Sequence, residues 1–394
     1  MEIVITQDFY PLIGGAHFWL YEVYKRWPKP IILLTRDYSQ APDLLAEQKA
    51  FDVQDHQSVK IKRCIHNIEE INITSSDFIR KTIRNLILLK KIANKHPVRL
   101  HVIRSFPEGI LAVLFKKLLA KNCEIICYTH GEELLISKTS RQIAMLADWV
   151  YRNVDLIIAN SRATSEIQTR LFPKRRLGDK SVIIHPGVDY AAYQIPEIKK
   201  ESLRERWGWP SDTIILATCA RMEPRKNHLQ VVEAVAQLRN IGIPVAYVIA
   251  SDGDLKKELI KKVKAHGLTE WVRFTGFLLK SERIEVMASS HLHVMPSVQV
   301  GPMIEGFGLV FMEAAAAGIP SIAGDVGGQP EAVLDKRTGF VVDGTKLDML
   351  VEKIKILATN EDLRKKMGKE GKVWAQTNDW ARVVERTYNQ LGMK

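Results

Sequence analysis

The sequence predicts an α/β protein of two doubly wound domains, each organised around a parallel sheet. Strand-length apolar stretches alternate with helix-length segments along the chain, a rhythm that implies parallel strands joined by helical crossovers. Its 394 residues exceed one ordinary hydrophobic core and suit two domains of about 190 residues each. Glycines also stand between strand and helix twice, at Gly14-Gly15 and at Gly306 and Gly308. On this reading residues 1–190 form the first domain, residues 191–375 the second, and residues 376–394 a C-terminal helix that packs back across both.

Composition narrows the class. With 46% hydrophobic and 26% charged residues, the chain has the balance of a soluble globular protein. Met1-Glu2-Ile3-Val4-Ile5 reads directly as a strand, and no apolar run approaches the ~18 residues of a membrane span, so a cytoplasmic location is expected. Cys64, Cys123, Cys127 and Cys219 are expected as free thiols, the last three in buried strand-like stretches. Cys123 and Cys127 lack the spacing of a zinc site and a second pair. Net charge is +12, with 28 Lys and Arg against 20 Asp and Glu in residues 1–190, and 29 against 25 in the remainder. A basic first half fits an anionic membrane, an acidic substrate or nucleic acid, and equally a solvated face.

Residues 3–6 form a short buried strand, and Gly14-Gly15 then leads into a helix over residues 16–27. Such a helix start offers unpaired N–H groups to an anion at the carboxyl end of a strand, although a tight turn would use the same residues. The third glycine of a dinucleotide fingerprint is missing. After a strand at 31–35, Ser75 or Ser76 caps a helix that stops before Pro97. Ile79, Ile83, Leu86 and Ala93 are its apolar stripe, and Arg80, Lys81, Arg84, Lys90, Lys91 and Lys95 make it basic. Lys116, Lys117 and Lys121 continue the pattern, which suits anionic lipid or plain solvation. Strands at 100–103, 124–128, 156–159 and 182–184 alternate with helices at 108–120, 136–152 and 163–172. His130 follows the 124–128 strand directly, on the ligand-binding edge of the sheet.

Residues 195–200 read as an interdomain linker, after which the rhythm restarts. Strands at 214–219, 245–250, 272–275 and 292–295 alternate with helices at 226–239, 255–266 and 282–288. Arg221 and Lys226 flank a crossover loop, where two cations can clamp a diphosphate. Asp252-Gly253-Asp254 has a metal-binding pattern but fits turn and N-cap duty better. The segment from Glu361 onward is helical, with Trp374, Trp380, Val383, Val384 and Tyr388 as apolar anchors.

Glu305-Gly306-Phe307-Gly308-Leu309 feeds the alanine-rich helix that carries Glu313. Phe307, Gly308 and Leu309 offer backbone N–H groups to an anion such as a phosphate. Glu313 has Leu309, Val310 and Met312 as neighbours, so it is partly desolvated and requires a partner, a role that a pair of ligand hydroxyls could fill.

With these residues in hand, the chain resembles the retaining glycosyltransferases of family 4, closest in motif style to lipid-directed mannosyltransferases. The motifs are Gly14-Gly15, Thr129-His130-Gly131, Ala159-Asn160-Ser161, Pro186-Gly187-Val188-Asp189, Arg221 to Lys226, Pro296-Ser297, Glu305 to Glu313 and Gly327-Gly328-Gln329-Pro330-Glu331. The resemblance implies the GT-B fold, two Rossmann-like domains facing a central cleft. It implies that Glu313 binds the nucleotide ribose and that Glu305 lies beside the donor sugar. Arg221 and Lys226 would stabilise the diphosphate, Phe307 to Leu309 would supply N–H groups, and His130 would sit near the reaction centre. Gly276-Phe277 matches the segment lining the base pocket, and Gly14-Gly15 completes the donor site. Ser251, Asp254 and Asn227 depart from the family pattern, in which glycine, proline and glycine are usual.

The resemblance thus implies a retaining, metal-independent hexosyltransferase that needs no cofactor besides its nucleotide-sugar donor. GDP-mannose is favoured over UDP-sugars, with a lipid-linked or polysaccharide acceptor and a place at the inner face of the cell membrane. The expected partners are these substrates and an anionic membrane surface contacted by the basic first domain, with no nucleic acid. Transfer from UDP-glucose or UDP-N-acetylglucosamine to a soluble acceptor, epimerisation of a nucleotide sugar, and a catalytically silent GT-B binding subunit are the alternatives.

Overall fold

The computed structural model describes residues 1–12, 14–68, 75–94, 96–173 and 179–392. They form two compact units, Met1–His185 together with Trp380–Lys394, and Pro186–Asp379.

In the first unit, seven described strands are all parallel, in the order β3-β2-β1-β4-β5-β6-β7. They are β1 (Glu2–Ile5), β2 (Ile31–Thr35), β3 (Val59–Arg63), β4 (Arg99–Val102), β5 (Glu124–Thr129), β6 (Leu156–Ala159) and β7 (Ser181–Ile183). Every residue of β1 is buried, as expected of a central strand covered by helices on both faces. The crossovers are α1 (Gly15–Lys25), α2 (Pro42–Asp52), α3 (Ser76–Ala93), α4 (Ile110–Leu118), α5 (Glu132–Ile136), α6 (Arg141–Asn153) and α7 (Arg162–Leu171).

Three differences from the sequence expectation stand out in this unit. α2 and β3 were not expected: α2 has no strong apolar face, and edge strand β3 carries three cations in five residues. The helix expected at 136–152 is broken, because a short 3-10 turn at Ser137–Thr139 separates α5 from α6. The apolar stripe of α3 is split. Leu86 and Ala93 are buried with Phe78 and Leu89, whereas Ile79, Ile83 and Ile87 are about half exposed, at 47%, 51% and 51%. Two apolar rows on one helix look alike in sequence, and only packing decides which of them faces the core. Ser75 is the cap, accepting the Phe78 N–H at 3.1 Å.

The second unit holds α8 (Glu197–Glu205), β8 (Ile214–Thr218), α9 (His228–Asn240), β9 (Val245–Ile249), α10 (Lys256–Ala265), β10 (Val272–Phe274) and α11 (Lys280–Ser289). It continues with β11 (Leu292–Met295), α12 (Leu309–Ala317), β12 (Ser321–Gly324), α13 (Gln329–Ala332), β13 (Gly339–Val342), α14 (Leu347–Thr359) and α15 (Glu361–Thr377). The strands are again parallel, ordered β10-β9-β8-β11-β12-β13. Residues 197–200, expected in a linker, instead open α8, whose Arg204 donates to the Ser289 carbonyl at 3.1 Å. α15 crosses α12 at its C-terminal end: a Cβ on Gly368 would lie 2.1 Å from the Gly318 carbonyl oxygen.

The last helix, α16 (Trp380–Gln390), belongs to the first unit. Trp380 is buried with its ring 6.1 Å from that of Phe18, and Trp27 meets Tyr388 at 5.3 Å. The helical run expected from Glu361 therefore divides at Asn378 and Asp379 between the two units.

In each sheet the chain reverses its direction of winding beside the first strand, between β1 and β4 and between β8 and β11. The carboxyl ends of such strand pairs are the crevices where open α/β sheets bind ligands. Gly14-Gly15 follows β1, the loop from Ala220 to Lys226 follows β8, and Glu305 to Gly308 follows β11.

Candidate functional site

The loop after β8 is held from below. Asn227 takes the left-handed conformation, φ 63°, that glycine would otherwise supply, and asparagine is among the few residues that tolerate it. Its side-chain amide donates to the carbonyls of Pro296 at 3.1 Å and Gly344 at 2.7 Å. The departure from glycine at this position is thereby absorbed. Behind it, buried His228 donates from Nε2 to the Arg221 carbonyl at 3.1 Å, and burial keeps it neutral, with its pKa down to about 4.

Glu305 is the centre of the ion cluster that this loop completes. Its carboxylate pairs with Lys226, and Arg225 Nη1 lies 3.0 Å from the same oxygen. Burial pushes the Glu305 carboxyl up, but Lys226 and Arg225 outweigh it and hold the group below the ordinary glutamate range. Arg225 and Arg221 both reach Glu223, each at 3.2 Å. Arg221 is otherwise open, with 74% of its side chain exposed. An ammonium has three donors, so Lys226 can serve Glu305 and still offer N–H groups to an anion. A buried ion pair contributes little net stability, because desolvation offsets attraction, which makes a ligand-binding role the more economical account of this cluster.

Glu305 also abuts the start of α12. Gly308 has φ +90°, and a Cβ there would lie 2.5 Å from the Phe311 ring and 3.5 Å from Glu305 Cγ. No side chain caps α12 and no acidic residue occupies its first turn, so the positive end of the helix has no anionic side chain of its own. Phe307 is buried beneath it.

The Gly327-Gly328-Gln329 motif forms a clasp around the same loop. Cβ atoms on Gly327 and Gly328 would each lie 2.1 Å from a carbonyl oxygen, that of Glu305 and that of Gly306 respectively. Gly328 donates its N–H to the Glu305 carbonyl at 3.0 Å. Buried Gln329 accepts from the N–H groups of Ser297 (3.1 Å) and Gly324 (2.8 Å), and donates to the carbonyls of Ser297 (3.0 Å) and Val326 (2.7 Å). With all four bonds made, its amide locks the turn after β11 to the end of β12.

Glu313 lies one and a half turns into α12, with 12% of its side chain exposed. The partner that its burial demands is Arg283 of α11, whose Nη2 lies 3.1 Å from Glu313 Oε1. Phe277, six residues before Arg283, stands 83% exposed after β10. Asp252 accepts the Gly253 N–H at 2.8 Å and pairs with Lys256 at 2.7 Å, which is turn duty; the expected N-cap role is not filled, because the N-cap of α10 is Leu255, without a side-chain cap. Among the described residues, no group of three or more His, Cys, Asp or Glu side chains is arranged to hold a metal ion.

The first unit places Gly14 at the N-cap of α1 and Gly15 at its first turn, again without a side-chain cap or an acidic residue. His130 follows β5. Its Nε2 is 2.9 Å from the Ile103 carbonyl, which can only accept, so Nε2 carries the proton and Nδ1 the lone pair. Its main-chain N–H donates to Glu133 at 2.7 Å, and Trp19 meets its ring edge-on at 5.5 Å. Burial brings His130 down to about 3 and pushes Glu133 up to about 7. His17, on the first turn of α1, has both ring nitrogens shut from solvent without a hydrogen-bond partner, and burial lowers it to about 4.

Lys226, Glu305 and Gly308 are thus assembled in one place, with Arg221 joined to them through Glu223. Arg225, Glu223, Arg283, His228 and Gln329 were given no site role from the sequence, although Glu223, Arg225 and Gln329 lie within the motifs quoted above. Arg225, Glu223 and His228 had a signal, since they lie in or beside the loop from Arg221 to Lys226; Arg283 and Gln329 act through partners 30 and 32 residues away, which no spacing reveals.

The family model described as Glycosyltransferase Family 4 matches residues 13–192, and that of glycosyl transferases group 1 matches residues 199–374. The chain is similar to a GDP-mannose-dependent alpha-(1-6)-phosphatidylinositol monomannoside mannosyltransferase of Mycolicibacterium smegmatis, 29% identical over 69% of this chain and 70% of that protein. A GDP-mannose-dependent monoacylated alpha-(1-6)-phosphatidylinositol monomannoside mannosyltransferase of Corynebacterium glutamicum is 26% identical over 99% of this chain and 97% of its own length. In fold, the chain resembles Anabaena HepE, solved in complex with UDP and glucose, with a TM-score of 0.78 at 18% identity over 99% of both chains.

Proposed function

Because the chain belongs to the glycosyltransferases that carry a Family 4 domain followed by a group 1 domain, on the GT-B fold, we propose that it moves mannose from GDP-mannose to a hydroxyl of a lipid-linked or polysaccharide glycan with retention of anomeric configuration. The observation that carries this reading is the Lys226–Glu305–Arg225 cluster against the uncapped start of α12.

In this mechanism Lys226 and Arg221 hold the diphosphate together with the N–H groups at the helix start. The bond between the anomeric carbon and the diphosphate oxygen breaks, and a bond from that carbon to the acceptor oxygen forms on the same face. The acceptor proton passes to the departing diphosphate, whose growing charge the cations stabilise, so that no metal ion is called for. Glu305 lies beside the donor sugar, Glu313 takes the ribose hydroxyls, Phe277 contacts the base, and His130, neutral at physiological pH, orients the sugar through Nδ1. The relatives named above support GDP-mannose as donor and a phosphatidylinositol-type acceptor.

The exposed row of Ile79, Ile83 and Ile87 on α3, flanked by Arg80, Arg84 and Lys91, supports an anionic membrane as the surface that the first unit meets. No described helix is long and apolar enough to cross a membrane.

Thermal-shift measurements with GDP-mannose, UDP-glucose and UDP-N-acetylglucosamine, followed by product analysis with and without a chelator, test the proposal. Stabilisation by GDP-mannose and a retained, chelator-resistant product are expected; transfer from a UDP-sugar alone would replace the donor assignment. Vesicles containing anionic phospholipid should sediment the protein at low salt, and changing Ile79, Ile83 and Ile87 to Gln should abolish this. Unchanged sedimentation of that variant would remove α3 from the membrane contact.

A further inference from the structure

We propose that Arg283 is a positioning residue for nucleotide recognition: it ties one oxygen of Glu313 so that the other presents a fixed acceptor to the ribose hydroxyls of the donor. This rests on the reading of Glu313 as the ribose ligand and deepens it.

The geometry is that of a braced carboxylate. α11 packs against α12, and Arg283 Nη2 reaches Glu313 Oε1 at 3.1 Å, with 33% and 12% of the two side chains exposed. At this burial a lone carboxylate would turn toward whatever donor is near, whereas one oxygen held by a guanidinium leaves its partner in a defined direction. Arg283 stays charged, since the Glu313 carboxylate raises its pKa against the effect of burial. Arg283 Nε is buried without a hydrogen-bond partner of ordinary geometry, with the Tyr193 hydroxyl as its neighbour. Buried Tyr193 lies beside both groups, close enough for the charge of Glu313 to add to burial in raising its pKa, yet its hydroxyl makes no hydrogen bond of ordinary geometry.

A second feature places a nucleoside rather than another polyol here. The loop that carries exposed Phe277 runs directly into α11, so one segment delivers an aromatic face and, six residues on, the guanidinium that braces Glu313. A base and its ribose have that succession of apolar face and adjacent hydroxyl pair.

Calorimetric titration of the full-length protein with GDP, UDP and their 2′,3′-dideoxy counterparts tests the proposal without an acceptor. The wild type should prefer the ribonucleotide by about tenfold or more, since a site built to bond hydroxyls is left with unpaired groups by an analogue that lacks them. Arg283→Met should bring that ratio close to one while leaving affinity for the dideoxy analogue unchanged, and should raise donor KM with little change in kcat. Arg283→Lys, which keeps the charge but loses the planar fork, should give an intermediate ratio. If Arg283→Met loses thermal stability but keeps the wild-type ratio, Arg283 is only a brace between α11 and α12 and the proposal fails. Should Arg283→Met not fold, a wild-type ratio in Arg283→Lys would overturn it equally. A wild-type protein that binds the nucleotides without preference removes the ribose reading of Glu313, and this proposal with it.

Discussion

Two helix starts follow glycines at the carboxyl edge of a parallel sheet, α1 after Gly14-Gly15 and α12 after Gly306 and Gly308, and they are built differently. Both lack a side-chain cap and an acidic first turn. Around α12, Gly308, Gly327 and Gly328 leave no room for a side chain, and the surroundings are ionic, with Lys226, Arg225 and Glu305 in contact. Around α1, Gly14 has an ordinary φ of −107° and nothing nearer than 3.7 Å to a built Cβ, with the neutral His17 ring beside it and the Arg104–Asp8 pair close by. The same local motif is therefore sterically closed in one unit and sterically permissive in the other. Shape around the helix start, not the glycines themselves, separates the two.

The sharpest break of this comparison is Lys226→Ala, for which turnover should fall by about 10²–10³-fold while the fold survives. Near-normal kcat, with an unchanged circular dichroism spectrum, would sink the diphosphate assignment.

Next come the glycines. Gly328→Ala forces a methyl onto the Gly306 carbonyl and should destabilise the second unit by about 2–4 kcal/mol in denaturant unfolding. Gly14→Ala should stay within ~1 kcal/mol of wild type, because its backbone suits alanine and space is available. Equal losses at the two positions would erase the distinction drawn here.

The smallest effect is on acid stability. His17 and His130 have folded pKa values of about 4 and about 3, below the ordinary 6.5, so between these limits the unfolded chain binds protons that the folded chain refuses. Their contribution is fully present above pH 6.5 and is lost as pH falls toward 3–4. Glu133, raised from 4.5 to about 7, has the opposite sign and costs stability as pH rises through that window. Glu305, held below 4.5, withdraws its contribution only under more acid conditions. His17→Asn should therefore flatten the melting-temperature profile between pH 6.5 and 4 and leave the steeper fall below it unchanged.

Much of this was legible in the residues. Fully buried strands such as β9 announce themselves as short apolar runs, and α12 as an alanine-rich helix behind glycines. Lys226, Glu305 and Gly308 could be nominated because each type suits phosphate chemistry where a strand gives way to a helix. Edge strand β3, with cations at three of five positions, carried too weak a pattern. The row formed by Ile79, Ile83 and Ile87 was hidden by its resemblance to a core stripe.

By itself, then, the sequence determined the α/β class, the two-fold repetition of parallel sheets and the family resemblance, and it nominated Lys226, Glu305 and Gly308 for the candidate site, because periodicity and glycine placement are local properties. Only the tertiary structure decided which charge meets which. Lys226 pairs with Glu305, 79 residues away, and Arg283 with Glu313, 30 residues away. It also decided that Gln329 clasps the turn after β11, that Asn227 replaces a glycine by adopting its conformation, and that α16 returns to the first unit. Partner choice among buried polar groups depends on distances set by strand order and helix packing, and no linear spacing encodes those distances.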